Sequence, residues 1–261
     1  MTSDNRNFGE HIEFSASKRF GIIKLNRVHR ANALTIDMVK NLKMAIAYCQ
    51  SNEKIRGVIL TGNGTTFTTG LDMDTINGSD QAAVKEYEKT AADIAELIFN
   101  GKPTICAVNG RAMEDGVAYA LCSDYRIAVR ESFFMMPEIK SGIFPGAGTI
   151  VLMTRMIGIP WTKRILMFAE KISTEKALKI GLIDQIVDTR EDLMEETMRR
   201  VRFLFTKNQP ALNLIKLCSN HLPDKTYNEA YILEKEALMG WAEEKDKLQF
   251  VENFRKKLMN K

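Results

Sequence analysis

The sequence predicts an α/β domain followed by a helical segment. Short runs rich in β-branched residues alternate with longer stretches of helical periodicity, and from about residue 189 onward only the helical pattern continues. Continuous apolar runs are typical of strands buried on both faces, and their alternation with helices is typical of α/β proteins. The chain has 261 residues, 45% of them hydrophobic. That length suits one domain with an appendage and is too short for two large domains.

The individual elements follow from local patterns. Strands are predicted at residues 20–25, 57–61, 104–108 and 125–129. A helix is predicted over 35–50, with Thr35 as a favourable N-cap residue. A second helix is predicted over 81–99, because Gly101 and Pro103 supply a stop signal.

The domain boundary is placed where the strand signals end. We expect an α/β core at 1–190 and a C-terminal helical segment at 191–261. No repeat, low-complexity tract or long linker separates the two. The helical segment is therefore expected to pack on the core or on a neighbouring subunit.

Composition limits the classes of function. The net charge of +4 favours anionic ligands without identifying one. The basic residues are not interleaved with aromatic ones, so no nucleic-acid partner is expected. No secretory signal and no apolar run of membrane-spanning length is found, so we expect a cytoplasmic protein without a membrane partner. The sparse cysteines and histidines lack metal-site spacing and predict reduced thiols and no metal: Cys49, Cys106, Cys122, Cys218, His11, His29 and His221.

Three glycine-containing loops carry the functional signal. They are FTTGLD at 67–72, NGRAMEDG at 109–116 and MPEIKSGIFPGAG at 136–148. In this order and spacing the chain resembles the crotonase (enoyl-CoA hydratase/isomerase) superfamily, and the likeness extends over IIKLNRVHRANAL at 22–34 and over 157–187. The resemblance implies a crotonase-like spiral of ββα units with a C-terminal helical segment. It also implies an acyl-CoA substrate, no separate cofactor, and a homotrimer or homohexamer.

The resemblance assigns two backbone N–H groups to the thioester oxygen, those of Leu71 and Asp115. This oxygen gains negative charge when the acyl group enolises or is attacked, so hydrogen-bond donors directed at it stabilise the transition state. Gly70 permits close backbone approach. Asp115 departs from the family pattern, which commonly has glycine here, and its carboxylate would repel the oxyanion unless it points away or carries a proton. The simpler interpretation is that Asp115 caps its own helix.

The acid/base groups decide the expected reaction. By the resemblance, Ala118 stands where hydratases have their first catalytic glutamate, and Glu138 keeps the second. Moving a proton between two carbons needs only one base. The pattern therefore favours Δ3-to-Δ2 enoyl-CoA isomerisation by Glu138. Hydration or another crotonase reaction, such as hydrolysis or decarboxylation, stays open, as does a non-catalytic CoA-ester-binding or assembly protein.

A carboxylate could also return to the site one helical turn earlier. Glu114 and Asp115 precede Ala118 by four and three residues, so a regular helix would place both near its face. In that case residual hydratase activity on 2-enoyl-CoA would depend on Asp115 or Glu114.

The resemblance also suggests where coenzyme A binds. It places the backbone of Arg30, Ala31 and Ala33 and the loop Thr69, Gly70, Leu71, Asp72 and Met73 along the pantetheine arm and towards the adenine. Candidate phosphate ligands are Arg27, Arg30, Lys256 and Lys257. GNGTTFTTG lacks the GK[ST] ending of a nucleotide phosphate loop.

Overall fold

The computed structural model describes residues 6–17, 19–74 and 81–259. The strands in chain order are β1 (Ile12–Ser17), β2 (Phe20–Leu25), β3 (Gly57–Gly62), β4 (Thr66–Thr68), β5 (Thr104–Val108), β6 (Arg111–Met113), β7 (Tyr125–Val129), β8 (Phe133–Met135), β9 (Ile172–Ser173) and β10 (Gln185–Val187). The predicted strands at 20–25, 104–108 and 125–129 match their observed bounds, and the strand predicted at 57–61 extends one residue further.

Helices follow the strands and fill the C-terminal part. They are α1 (Ile36–Ser51), α2 (Gln81–Asn100), α3 (Asp115–Cys122), α4 (Thr149–Met167), α5 (Thr174–Ile180), α6 (Arg190–Phe205), α7 (Gln209–His221), α8 (Tyr227–Glu243) and α9 (Lys247–Met259). Short 3-10 turns lie at Val28–Arg30 and Glu138–Ser141. Thr35 caps α1 as predicted, because its side chain accepts a hydrogen bond from the Met38 N–H at 3.1 Å.

The strands alternate between two sheets. The six-stranded sheet has the order β1-β2-β3-β5-β7-β10, and the four-stranded sheet has the order β4-β6-β8-β9. In the larger sheet only the β1–β2 pair is antiparallel. The segments β3-β4-α2 and β5-β6-α3 each place their first strand in the larger sheet and their second in the smaller one. This repeat confirms the expected α/β fold of ββα units with a helical C-terminal part.

Apolar clusters lie on both sides of the larger sheet. One contains the buried faces of α1, α2 and α3, with Leu42, Ile94 and Tyr119 fully enclosed. The second packs Leu193 and Val201 of α6 against the strands. The loops that follow β4, β6 and β8 all begin at strands of the smaller sheet. Each of the three glycine-containing motifs includes residues of one of these loops.

The C-terminal helices have a cluster of their own and a buried tether to the core. Leu233 and Phe254 belong to the cluster among α7, α8 and α9. The ammonium of Lys216 on α7 donates to the Ile98 carbonyl at 2.7 Å, to the Lys102 carbonyl at 3.3 Å and to the Asp124 carboxylate at 2.7 Å. These bonds join α7 to the end of α2 and to the loop between α3 and β7.

The described residues contain neither a membrane-spanning helix nor a cluster of metal-binding side chains. None of the helices there combines the length and apolarity needed to cross a membrane. Over the same residues, no group of three or more histidine, cysteine, aspartate or glutamate side chains is arranged to hold a metal ion.

Candidate active site

The three glycine-containing loops meet around one small cavity. Its volume of about 20 Å³ is close to the space that one water molecule needs. Its lining includes Leu71, Glu88, Glu114, Asp115, Ala118, Met136, Glu138 and Thr149. The structure thus brings together the predicted oxyanion donors, the predicted base and Ala118.

A clamp of hydrogen bonds holds Leu71 in place, and it joins residues 27–34 to residues 70–74. Leu34 donates its N–H to the Gly70 carbonyl at 2.7 Å, and its own carbonyl accepts from the Asp72 N–H at 2.9 Å. The Arg27 guanidinium donates to the buried Asp72 carboxylate at 2.5 Å and to the Ala33 carbonyl at 3.1 Å. Leu71 is thereby fixed between two bonded loops.

The Glu114 side chain is hydrogen-bonded to one of the two predicted oxyanion donors, the Leu71 N–H. Its Oε2 accepts a hydrogen bond from the Leu71 N–H at 3.1 Å. The Glu114 backbone has φ 49° and ψ −119°, a conformation that favours glycine and strains other residues. A Cβ on Gly70, which has φ 82°, would lie 2.4 Å from the Glu114 Cβ. Only glycine at position 70 leaves room for this arrangement.

The environment of Glu114 favours its neutral form. Burial, followed by the nearby charges of Glu138 and Asp115, raises the pKa of Glu114 to about 8, although the Leu71 hydrogen bond acts in the opposite direction. Near neutral pH the group on the Leu71 N–H is therefore mainly a carboxylic acid. The cavity lining includes both Glu114 and Asp115, the two positions from which a carboxyl group was predicted to return. A part for either residue in hydration stays a prediction.

Asp115 makes a different contact from the one expected. The helix N-cap position belongs to Glu114, and neither residue forms a side-chain cap bond, so the prediction that Asp115 caps its own helix is wrong. Its carboxylate instead accepts the Tyr87 hydroxyl of α2 at 2.5 Å. Burial raises the pKa of Asp115 to about 6, with the Tyr87 bond opposing the shift. In the described part of the chain, no acceptor is paired with the Asp115 N–H.

Glu138 has the burial and pKa of an acid/base group. It begins the 3-10 turn that follows β8, and only 8% of its surface is exposed. Burial, with the charges of Asp115 and Glu88, raises its pKa to about 7, against a lowering by its own backbone N–H. Ala118, also buried, contributes only a methyl group to the same cavity.

Glu88 is a site residue that the sequence reasoning missed. It lies on α2 beside the buried Tyr87, and it lines the cavity. Burial and the Asp115 charge raise its pKa. A glutamate at the edge of a helix's apolar stripe looks like an ordinary surface residue, so no local signal marked it.

Most of the cations predicted to bind the phosphates of coenzyme A form ion pairs within the protein. Arg27 is committed to Asp72, while Arg30 pairs with Asp74 and Asp72 yet keeps 43% of its side chain exposed. Lys257 on α9 pairs with Glu236, and Lys256 is exposed. The positions Ala31, Ala33, Thr69, Gly70 and Met73 all lie in or beside the clamp. Their contacts with coenzyme A stay predictions.

The profile of a family described as Enoyl-CoA hydratase/isomerase matches residues 16–258. The chain belongs to the enoyl-CoA hydratase/isomerase family. Among curated members, a crotonyl-CoA hydratase of Syntrophomonas wolfei is 29% identical over 230 residues, 87% of this chain and 88% of that protein. A 1,2-epoxyphenylacetyl-CoA isomerase of Escherichia coli is 30% identical over 235 residues, again 87% of this chain and 88% of that protein.

Solved structures of enoyl-CoA hydratases resemble this family member along nearly its whole length. The enzyme from Bacillus anthracis has a TM-score of 0.85 at 26% identity, covering 95% of this chain and 97% of that one. The enzyme from Geobacillus kaustophilus has a TM-score of 0.83 at 29% identity, covering 96% and 97%. The expected family and fold are therefore confirmed, and the protein is an enoyl-CoA hydratase/isomerase-type enzyme.

Proposed function

We propose that this enzyme is a Δ3-to-Δ2 enoyl-CoA isomerase with Glu138 as its single base. The observation that best supports this proposal is the environment of Glu138. Glu138 is buried at the cavity lined by Leu71 and Asp115, and Ala118 provides no acid there. A pKa of about 7 makes both protonation states available near neutral pH, which suits a group that must take and return a proton.

In the proposed reaction, the Glu138 carboxylate removes a proton from the carbon next to the thioester. The electron pair moves to the thioester oxygen and forms a dienolate, which the N–H groups of Leu71 and Asp115 stabilise. Glu138 then returns the proton to the far carbon of the dienolate. Glu114 must leave the Leu71 N–H before the thioester oxygen can bind there.

Coenzyme A binding and assembly belong to the same proposal. Arg30, Lys256 and Lys257 are the cations proposed for the phosphates, while Arg27 holds the clamp. A cytoplasmic homotrimer or homohexamer is proposed, and exposed apolar residues such as Ile215 and Leu238 on α7 and α8 support self-association.

The test compares purified wild-type enzyme with Glu138→Gln on matched 3-enoyl- and 2-enoyl-CoA substrates, followed by ultraviolet absorbance. We expect conversion of the 3-enoyl thioester, and a loss of about 100-fold or more in kcat for the variant. Glu138→Gln with wild-type isomerase activity would refute the assignment. Silence on both substrates with measurable binding of the CoA ester would instead support a non-catalytic protein.

Hydration of 2-enoyl-CoA is the second candidate. It is favoured because the cavity contains carboxyl groups besides that of Glu138, although Ala118 itself supplies none. Water addition needs one group that accepts a proton from water and another that gives a proton to carbon. Loss of the 2-enoyl absorbance on incubation with the wild-type enzyme is the result that would support it.

A further inference from the structure

We propose that Glu88 is a second catalytic carboxylate of this site, which takes a proton from water during hydration of a 2-enoyl thioester. The inference rests on the proposed active cavity and on Glu138 as its first acid/base group. Glu88 would supply from α2 the function that Ala118 on α3 cannot.

The position of Glu88 is fixed by its helix. The neighbouring Tyr87 is 1% exposed and its hydroxyl bonds to Asp115, which anchors α2 to the first turn of α3. The Glu88 Oε2 lies 3.2 Å from the point that a Cβ on Gly146 would occupy. The carboxylate therefore packs against the glycine-containing loop that follows Glu138.

Glu88 is half-buried, and its carboxylate is not paired with any residue that the structure describes. Over the residues that the structure describes, no hydrogen bond or ion pair involves its carboxylate, whereas the exposed Glu86 on the same helix pairs with Lys40 at 2.8 Å. Burying a carboxylate without a cation or a hydrogen bond is costly, and such groups concentrate at functional sites. Its charge also raises the pKa of both Glu114 and Glu138, so it acts on both carboxyl groups.

The two remaining carboxyl groups of the cavity, those of Glu114 and Asp115, already accept hydrogen bonds from other residues. Glu114 lies on the Leu71 N–H, the donor assigned to the thioester oxygen, so substrate must displace it. Asp115 accepts the Tyr87 hydroxyl. Thr149, 1% exposed, lines the same cavity, and its hydroxyl has no hydrogen-bond partner among the described residues. Of the additional acids that line this cavity, Glu88 is the one whose carboxylate has no partner among the described residues, so it can polarise a water there.

The proposed step balances in atoms and charge. An O–H bond of water breaks, its proton passes to the Glu88 carboxylate, and the oxygen bonds to C3 of the 2-enoyl thioester. The C2–C3 π electrons move towards the thioester oxygen, and the Glu138 carboxylic acid then gives its proton to C2. The product is a 3-hydroxyacyl thioester. A proton passing through solvent from Glu88 to Glu138 restores the starting state.

The experiment measures hydration of crotonyl-CoA and isomerisation of 3-hexenoyl-CoA by Glu88→Gln, a near-isosteric change. The matched control is Glu96→Gln, which alters an exposed glutamate of the same helix. We expect Glu88→Gln to lose about 100-fold or more in hydration. Isomerisation, measured on the alkaline plateau where Glu138 is ionised in both proteins, should stay within about threefold. Glu96→Gln should match the wild type in both assays. Thermal unfolding verifies that each variant is folded, and Glu88→Asp, which keeps the charge but shortens the side chain, serves if Glu88→Gln does not fold.

Three outcomes would overturn the inference: wild-type enzyme that does not hydrate crotonyl-CoA, Glu88→Gln that hydrates it normally, or Glu88→Gln that loses both activities in parallel. The parallel loss would indicate a structural role. Hydration that depends on Glu88, in an enzyme without isomerase activity, would support the inference while refuting the proposed isomerase. The two proposals therefore fail separately.

Discussion

Replacing Glu114 by glycine should open the oxyanion site to the thioester oxygen. The substitution removes the carboxyl group from the Leu71 N–H. It also places glycine at φ 49° and ψ −119°, a conformation that glycine adopts without strain. Acyl-CoA would then bind without first breaking the bond between Glu114 and Leu71.

The expected gain in affinity follows from that one bond. Near neutral pH the pKa of about 8 keeps Glu114 mainly uncharged, and a neutral hydrogen bond contributes about 1 kcal/mol net. Since 1.4 kcal/mol corresponds to tenfold in Kd, the variant should bind a saturated acyl-CoA about 5-fold more tightly. The relief of backbone strain affects stability in free and bound protein alike, so it adds nothing to this difference.

The assay is isothermal titration with butyryl-CoA, which neither proposed reaction consumes. Free coenzyme A, which lacks the thioester carbonyl, is the control ligand and should bind wild type and Glu114→Gly equally. Glu114→Gln is the control variant, because its amide oxygen can still accept the Leu71 N–H. An unchanged Kd for butyryl-CoA in Glu114→Gly, or an equal gain for free coenzyme A, would refute the reasoning.

Two further predictions concern proton transfer and the C-terminal tether. Because Glu138 must be ionised to accept a proton, kcat/KM for isomerisation should rise with pH to a plateau above about 7. Glu88→Gln removes a nearby negative charge that raises the pKa of Glu138, so the midpoint of this rise should move to lower pH. A pH profile that is flat from pH 5 to 9 in the wild type would contradict the assignment of Glu138 as the base. Lys216→Met should lower the free energy of unfolding in urea by about 3 kcal/mol, because it leaves the Asp124 carboxylate and two carbonyls without their buried partner. The exposed Lys245→Met is the control, and equal stability of the two variants would show that the tether contributes nothing.

The sequence predicted the parts of the fold that local pattern controls. The strand at 20–25 and the Thr35 cap were located because an apolar run and a capping residue act within a few positions of themselves. The smaller strands β4, β6 and β8 have only three residues each. Runs of that length carry no periodicity, so their separate sheet could not be recognised from local pattern.

Site residues whose backbone position is set by a sequence motif were predicted. Side-chain positions that depend on tertiary packing were not. Leu71, Asp115 and Glu138 were found as neighbours because their loops have a recognisable order. The direction of the Asp115 carboxylate depends on Tyr87, which is 28 positions away in the chain, and a local rule predicted a cap instead. Glu88 reaches the cavity only because α2 packs beside α3, a contact that no short window of sequence contains.

The clamp between residues 27–34 and 70–74 has a consequence for the entropy of substrate binding. The Leu71 N–H belongs to a segment whose neighbours on both sides are hydrogen-bonded to Leu34, so its direction is set before a ligand arrives. Ordering a free loop would consume part of the binding free energy for each residue immobilised. Here that loss is incurred once, during folding. The backbone amides of Gly70 and Asp72 should accordingly show similar hydrogen-exchange protection with and without acyl-CoA.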